Sequence, residues 1–209
     1  MAAPPRPSLL YAVIAALTWP LLYVVFRLRA RGKEHLPAAG GYVLAANHWS
    51  NFDPWPLGMP LFPRRFLRFM AKSELFWPPL GWIVRAGGGF PVRRGERDDE
   101  AVETAIRLCR EGHVVVMFPE GTRRQKGLRK TREARAHTGA ARIALEADVP
   151  LLPAGIAGTD RLVRLAKLQV AYGVPVPLDD LRSREPREAA QEATDRLMTA
   201  IGELEASLA

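Results

Sequence analysis

Val114-Val115-Val116-Met117-Phe118 is the stretch on which the fold turns. Five consecutive apolar residues, with no polar alternation, read as a strand buried on both faces. Immediately upstream, Asp98 to Arg110 repeats with a helical period. Acids fill its first turn, Val102, Ala105, Ile106, Leu108 and Cys109 form one apolar face, and Gly112 stands just past its end. Working outward, Gly41-Tyr42-Val43-Leu44-Ala45-Ala46 reads as a second buried strand ending at Asn47, and Arg65 to Met70 alternates as a strand does. Thr138 to Ala147 is a further helix. Leu151 to Ile156 is a further strand, which Pro153 assigns to an edge or a bulge. Pro186 to Leu208 makes a C-terminal helix with Leu197, Ile201, Leu204 and Leu208 in one stripe. Strands alternating with helices predict a single α/β domain, a mostly buried mixed sheet flanked by helices. In such folds, sites form where strands run out into loops.

The chain has 209 residues, enough for one domain with a sizeable core. Its 48% apolar and 25% charged content is that of a folded protein and excludes a disordered one. A net charge of +8 calls for an anionic partner: a phospholipid surface, a phosphorylated substrate, an acidic carrier protein or nucleic acid. The lone Cys109 excludes an intrachain disulfide and a thiolate metal cluster, and its place in the helical pattern makes it core packing.

Residues 1–33 differ from the body, 34–209. Leu9 to Phe26 carries no charge, and Arg27, Arg29, Arg31 and Lys33 follow at once. As a helix this run is about 27 Å long, near the lower limit for a bilayer span. Pro20 kinks it or splits it into two short helices. A cleaved signal peptide fits least, because the basic residues follow the apolar core. A single span would put the basic side and the body in the cytoplasm. A helix pair lying in one leaflet suits the Pro20 break and the rings of Trp19 and Tyr23 equally well. Either way the expected location is the cytoplasmic face of the cell membrane.

Two strand ends carry candidate chemistry. After the first, Asn47-His48-Trp49-Ser50-Asn51-Phe52-Asp53 offers an imidazole and a carboxylate five residues apart. Histidine can take a proton from an attacking hydroxyl if a partner fixes its tautomer. On a regular helix these residues would lie about 140° apart, so the pairing needs a loop-to-helix junction, which Ser50 and Pro54 supply. Taken alone, the same residues also read as a plain helix N-terminus. After the second strand, Phe118-Pro119-Glu120-Gly121-Thr122-Arg123 offers an acid for substrate hydroxyls, a glycine for close approach and a cation for phosphate. Taken alone, that stretch reads equally as an ordinary turn after a strand. Between them, Gly87-Gly88-Gly89 precedes Arg93 and Arg94, without the lysine-serine/threonine signature of a phosphate-binding P-loop. Arg123, Arg124, Lys126, Arg129, Lys130 and Arg132 form a basic cluster suited to a solvated loop, to anionic headgroups or to an acyl carrier. It lacks the interleaved aromatics of a nucleic-acid platform, so no nucleic-acid partner is expected. His35, His113 and His137 have no metal-ligand spacing.

In this order and spacing the blocks resemble the glycerolipid acyltransferase family. Asn47-His48-…-Asp53 matches its Asn-His-x-x-x-x-Asp block, and Gly87 to Arg93 matches Gly-x-x-Phe-x-x-Arg. Phe118 to Arg123 matches Phe-Pro-Glu-Gly-Thr-Arg, and Val149-Pro150-Leu151-Leu152-Pro153 a Val-Pro-apolar-apolar-Pro run. The likeness covers about residues 30–160; Arg124 departs from a frequent serine. The resemblance implies acyl transfer from an acyl-CoA or acyl-carrier-protein thioester to a lysophospholipid hydroxyl, with 1-acyl-glycerol-3-phosphate the expected acceptor. It implies His48 as base and Asp53 as its orienting carboxylate. It also implies Lys72, Arg93, Glu120, Gly121, Thr122 and Arg123 as the hold on the glycerol phosphate, with no metal or bound cofactor. An acyltransferase for another lysolipid, and a non-catalytic tethered module binding acidic lipid or nucleic acid, are the competing readings.

Overall fold

The computed structural model describes residues 7–93, 98–121 and 136–208. Seven strands form one sheet: β1 (Arg29–Arg31), β2 (Tyr42–Ala46), β3 (Leu67–Lys72), β4 (Gly89–Val92), β5 (Val114–Met117), β6 (Leu151–Ala157) and β7 (Gln169–Tyr172), in the order β1-β7-β6-β2-β5-β3-β4. β6, β2, β5, β3 and β4 run parallel. β7 pairs antiparallel with β6, and β1 runs parallel to β7. The sheet is therefore mixed, as its sequence pattern predicts.

The fully apolar strands β2 and β5 occupy the middle because both their faces are covered. Tyr42, Leu44, Val114 and Val116 point into one core layer, under α1 (Leu9–Pro20) and α2 (Pro54–Gly58). Val43, Ala45 and Val115 point into the other, under α4 (Asp99–Arg110), α5 (Gly139–Ala147) and α6 (Pro186–Ala206). A short helix, α3 (Leu80–Ala86), leads into β4. Fully burying a leucine such as Leu44 contributes roughly 1.5–3 kcal/mol. Asp98 caps α4 through the Ala101 N–H at 3.1 Å, and Gly112 leaves the helix end with φ of 89°.

Two strand expectations are corrected. The strand expected at Arg65–Met70 starts two residues later, at Leu67. The buried Arg65 guanidinium instead donates to the Gly40 and Gly112 carbonyls and lies 5.2 Å over the Tyr42 ring. Pro153 does not put its strand at an edge: β6 lies inside the sheet, between β7 and β2. The antiparallel register with β7 begins only at Ala154↔Tyr172, and the Pro153 carbonyl accepts from Gly173 N–H at 2.9 Å. Pro153 opposes Gly173 at the end of that ladder, where its carbonyl makes one of the rung's two bonds and its missing N–H costs only the other.

The N-terminal run is not a detached appendage. Tyr11, Ala15, Leu22, Phe26 and Leu28 join the core layer over β2, and residues 29–31 are the strand β1. Pro20 closes α1, and the chain continues as one π-helical turn, Leu21–Val25. The opposite side leaves Leu9, Leu17, Trp19 and Val24 exposed. Among the described residues no helix is long and apolar enough to cross a membrane.

Candidate active site

The parallel run places the carboxyl ends of β6, β2, β5, β3 and β4 along one edge. His48 follows β2, Phe118 to Gly121 follow β5, Lys72 ends β3 and Arg93 follows β4. That shared edge is where the two sequence blocks meet. The His48 ring stacks on the Phe118 ring, 4.0 Å between centroids and 17° between planes.

The backbone from 48 to 53 does turn as the pairing requires. Asp53 N–H reaches the Ser50 carbonyl at 3.1 Å, and Phe52 N–H reaches Ser50 Oγ at 3.2 Å. This turn brings the fully buried Asp53 carboxylate under its own loop. Asp53 Oδ2 accepts from Trp49 N–H at 2.7 Å and Ser50 N–H at 2.9 Å, and it faces His48 Nδ1 at 2.8 Å. An oxygen that already accepts two backbone bonds takes the third group as a donor too, so Nδ1 carries the proton and Nε2 holds the lone pair. The plain helix-cap reading fails here. Asp53 stands at the α2 N-terminus, yet its side chain caps no α2 N–H and is committed to the loop and to His48.

A second network, not read from the sequence, holds the same loop from behind. The buried Asn47 side chain extends the β2–β6 ladder: Oδ1 accepts from Ile156 N–H at 2.8 Å and Nδ2 donates to the Ile156 carbonyl at 2.9 Å. Glu205, in the last turn of α6, accepts from Asn47 Nδ2 at 3.2 Å and from Trp49 Nε1 at 3.0 Å. Trp55 Nε1 donates to Thr18 Oγ1 at 3.1 Å, tying α1 to the helix that follows Asp53.

Glu120 is buried beside Phe118. Gly121 has φ of 66°, and a Cβ there would come within 2.6 Å of the His137 ring, so the position needs glycine for both conformation and space. His137 N–H donates to the Pro119 carbonyl at 2.8 Å. Thr122, Arg123 and the basic cluster to Arg132 lie outside the described residues. Lys72 and Arg93 are exposed at the same edge. Arg93 stands just past the end of the outermost strand, 3.3 Å from Glu100, with its N–H on Asp98 Oδ2. The structure thus brings His48, Asp53, Phe118, Glu120 and Gly121 into one place and sets Lys72 and Arg93 along the rim beyond them. A groove of about 1210 Å³ between α4, α5 and α6 contains none of these residues. Among the described residues no cluster of His, Cys, Asp and Glu could hold a metal ion. Cys109 is buried against the Tyr42 carbonyl, and burial pushes its thiol up to about 12.

Comparison with known proteins agrees with this geometry. Residues 27–157 match the family described as Acyltransferase. The chain is 32% identical to the 1-acyl-sn-glycerol-3-phosphate acyltransferase of Bacillus subtilis, over 87% of this chain and 89% of that protein. It is 30% identical to the lyso-ornithine lipid O-acyltransferase of Rhodobacter capsulatus, over 53% of this chain and 37% of that protein. The crystal structure of the 1-acyl-sn-glycerophosphate (LPA) acyltransferase from Thermotoga maritima superposes with a TM-score of 0.66 at 25% identity, covering 94% of this chain and 78% of that one. With the matched region spanning β1 to β6 and enclosing the His48–Asp53 pair, this chain belongs to the Acyltransferase family.

Proposed function

We propose that this protein transfers a fatty acyl group from an acyl thioester, acyl-CoA or acyl carrier protein, to the free hydroxyl of 1-acyl-glycerol-3-phosphate, giving phosphatidic acid. The observation that carries the reading is the His48 ring, oriented through Nδ1 by Asp53 and laid on Phe118 of the block that supplies Glu120 and Gly121. Nε2 takes the hydroxyl proton as the acceptor oxygen attacks the thioester carbonyl. Asp53 keeps the tautomer and stabilises the imidazolium that forms. The tetrahedral intermediate collapses, the C–S bond breaks, and the thiolate takes its proton from His48. One ester bond forms, one thioester bond is lost, and no enzyme nucleophile is required. The buried Cys109 thiol is consistent with that.

Lys72, Arg93, Glu120, Gly121, Thr122 and Arg123 hold the glycerol phosphate, the cations gripping phosphate oxygens and Glu120 a hydroxyl. No metal or cofactor is needed for these steps. The exposed apolar side of α1 and the basic residues after it keep the protein on the cytoplasmic face of the membrane, where both lipids reside. The named relatives support this acceptor, and the Rhodobacter relative favours an amino-acid lysolipid as the second reading. The test offers purified protein lysophosphatidic acid, lysophosphatidylglycerol and lyso-ornithine lipid in turn, each with acyl-CoA and with acyl carrier protein. Phosphatidic acid as the dominant product supports the proposal. Acylation of lyso-ornithine lipid alone moves the assignment to the second reading.

A further inference from the structure

We infer that the carboxyl edge of the sheet rests on an anionic lipid surface through two footholds flanking His48, in addition to the N-terminal helix. The inference builds on the acyltransferase reading, because a lipid acceptor must enter at this edge.

The placement follows from topology. In the strand order β6-β2-β5-β3 all four strands run parallel, so whatever follows each emerges on one side of the sheet. His48 follows β2. The 3₁₀ turn Thr159–Arg164 follows β6 on one flank, and the turn Ser73–Phe76, from which α3 crosses back toward the start of β4, follows β3 on the other. At the usual strand spacing, three intervals separate these flanks by roughly 14 Å.

Both flanks expose large apolar side chains that fold no core. On the β6 side Val163 is 99% and Leu165 52% exposed. On the β3 side Trp77 is 58%, Trp82 68% and Ile83 55% exposed, with Leu75 beside them. Single exposed apolar residues are ordinary, but clusters bordering a site are not. These side chains are held outward rather than loosely displayed. A Cβ on Gly81 would meet the Phe76 carbonyl at 2.4 Å, so α3 is packed tightly on its preceding turn. Arg85 lies 4.8 Å over the Phe76 ring. The Leu165 carbonyl accepts from Arg27 at 2.9 Å, joining that foothold to the exposed N-terminal run.

Charge identifies the occupant. Residues 159–167 carry Arg161, Arg164 and Lys167 against Asp160, and residues 72–93 carry Lys72, Arg85 and Arg93 against Glu74. Apolar tips ringed by net positive charge, with two tryptophans, suit the headgroup zone of an acidic leaflet. A second copy of the chain would bring like charges together.

The test uses the full chain and vesicles of phosphatidylglycerol and phosphatidylcholine, with no substrate. Trp77→Ser with Trp82→Ser, and separately Val163→Asp, each lower vesicle partitioning about tenfold while the thermal midpoint stays put. Lipids brominated on their acyl chains quench wild-type tryptophan fluorescence more than that of the double variant. Partitioning and quenching unchanged in both variants overturn the inference, as does a wild-type dimer that the variants dissociate. A water-soluble short-chain lysophosphatidic acid keeps the two readings apart. The variants acylate it at the wild-type rate, and a wild type that fails on it refutes the acyl-transfer reading while the partitioning result stands.

Discussion

Replacing Asp53 by asparagine isolates the charge at the heart of the site. Asp53 Oδ2 meets three donors, the Trp49 and Ser50 N–H groups and His48 Nδ1. In the asparagine variant the amide oxygen takes that position, because the alternative sets an NH₂ against three donors. The loop contacts and the His48 tautomer are therefore kept, the negative charge facing the imidazolium disappears, and the NH₂ takes the buried Oδ1 position, which has no hydrogen-bond partner, at a cost of about 1–3 kcal/mol in stability. A 2.8 Å contact puts the charge centres about 4 Å apart, and at an effective dielectric near 20 their attraction is about 4 kcal/mol. A lower figure of about 1 kcal/mol comes from the difference between a charge-assisted and a neutral hydrogen bond. Converted to rate, the range is roughly 5- to 1000-fold in kcat. The assay is thioester-dependent release of free thiol at saturating acceptor, with the thermal midpoint measured on the same preparation. Two results would refute the reasoning: a loss under about threefold, which means that the carboxylate charge does not reach the transition state, or an inactive protein with a collapsed midpoint, which means that the loop needed the carboxylate to fold.

Other consequences follow from single contacts. Gly121→Ala forces a side chain into left-handed backbone and against His137, costing about 1–2 kcal/mol of stability, and adding His137→Ala recovers part of it in a double-mutant cycle. Glu205→Ala removes the acceptor shared by Asn47 and Trp49 and lowers both the thermal midpoint, by about 1–2 kcal/mol in stability, and kcat. Glu205→Gln keeps an oxygen in place and retains most of both. Cys109, its thiol raised to about 12, carries a thiolate fraction near 1 in 10,000 at pH 8. Iodoacetamide therefore leaves the native protein unmodified over hours yet labels it promptly in urea.

What the sequence made legible is what short-range pattern can encode. β2 and β5 are unbroken apolar runs because both faces are covered, and α4 announces itself through acids, stripe and glycine. The edge strands escaped: β1 is Arg-Ala-Arg, too short and too charged to show a period, and β4 lies in a glycine run. Pro153 misled because the rule against interior proline assumes a full ladder on both sides, and here Pro153 stands at the last rung with β7, where only one bond is lost and its carbonyl still takes the Gly173 N–H. At the site, the His48–Asp53 partnership was legible since both groups sit on one short turn. Glu205 was not, because it lies 156 residues from Trp49 and only the packing of α6 on β6 brings it there. No local spacing carries such a contact.

The central claim is that His48 is the base for acyl transfer to a lysophospholipid hydroxyl. Wild type and His48→Ala would be supplied in vesicles with radiolabelled lysophosphatidic acid and acyl-CoA or acyl carrier protein, and labelled phosphatidic acid followed. The account predicts product from wild type and a loss of at least about a hundredfold in the variant, with vesicle binding unchanged. Equal product from both proteins, or free fatty acid released by wild type with no lysolipid present, would contradict it.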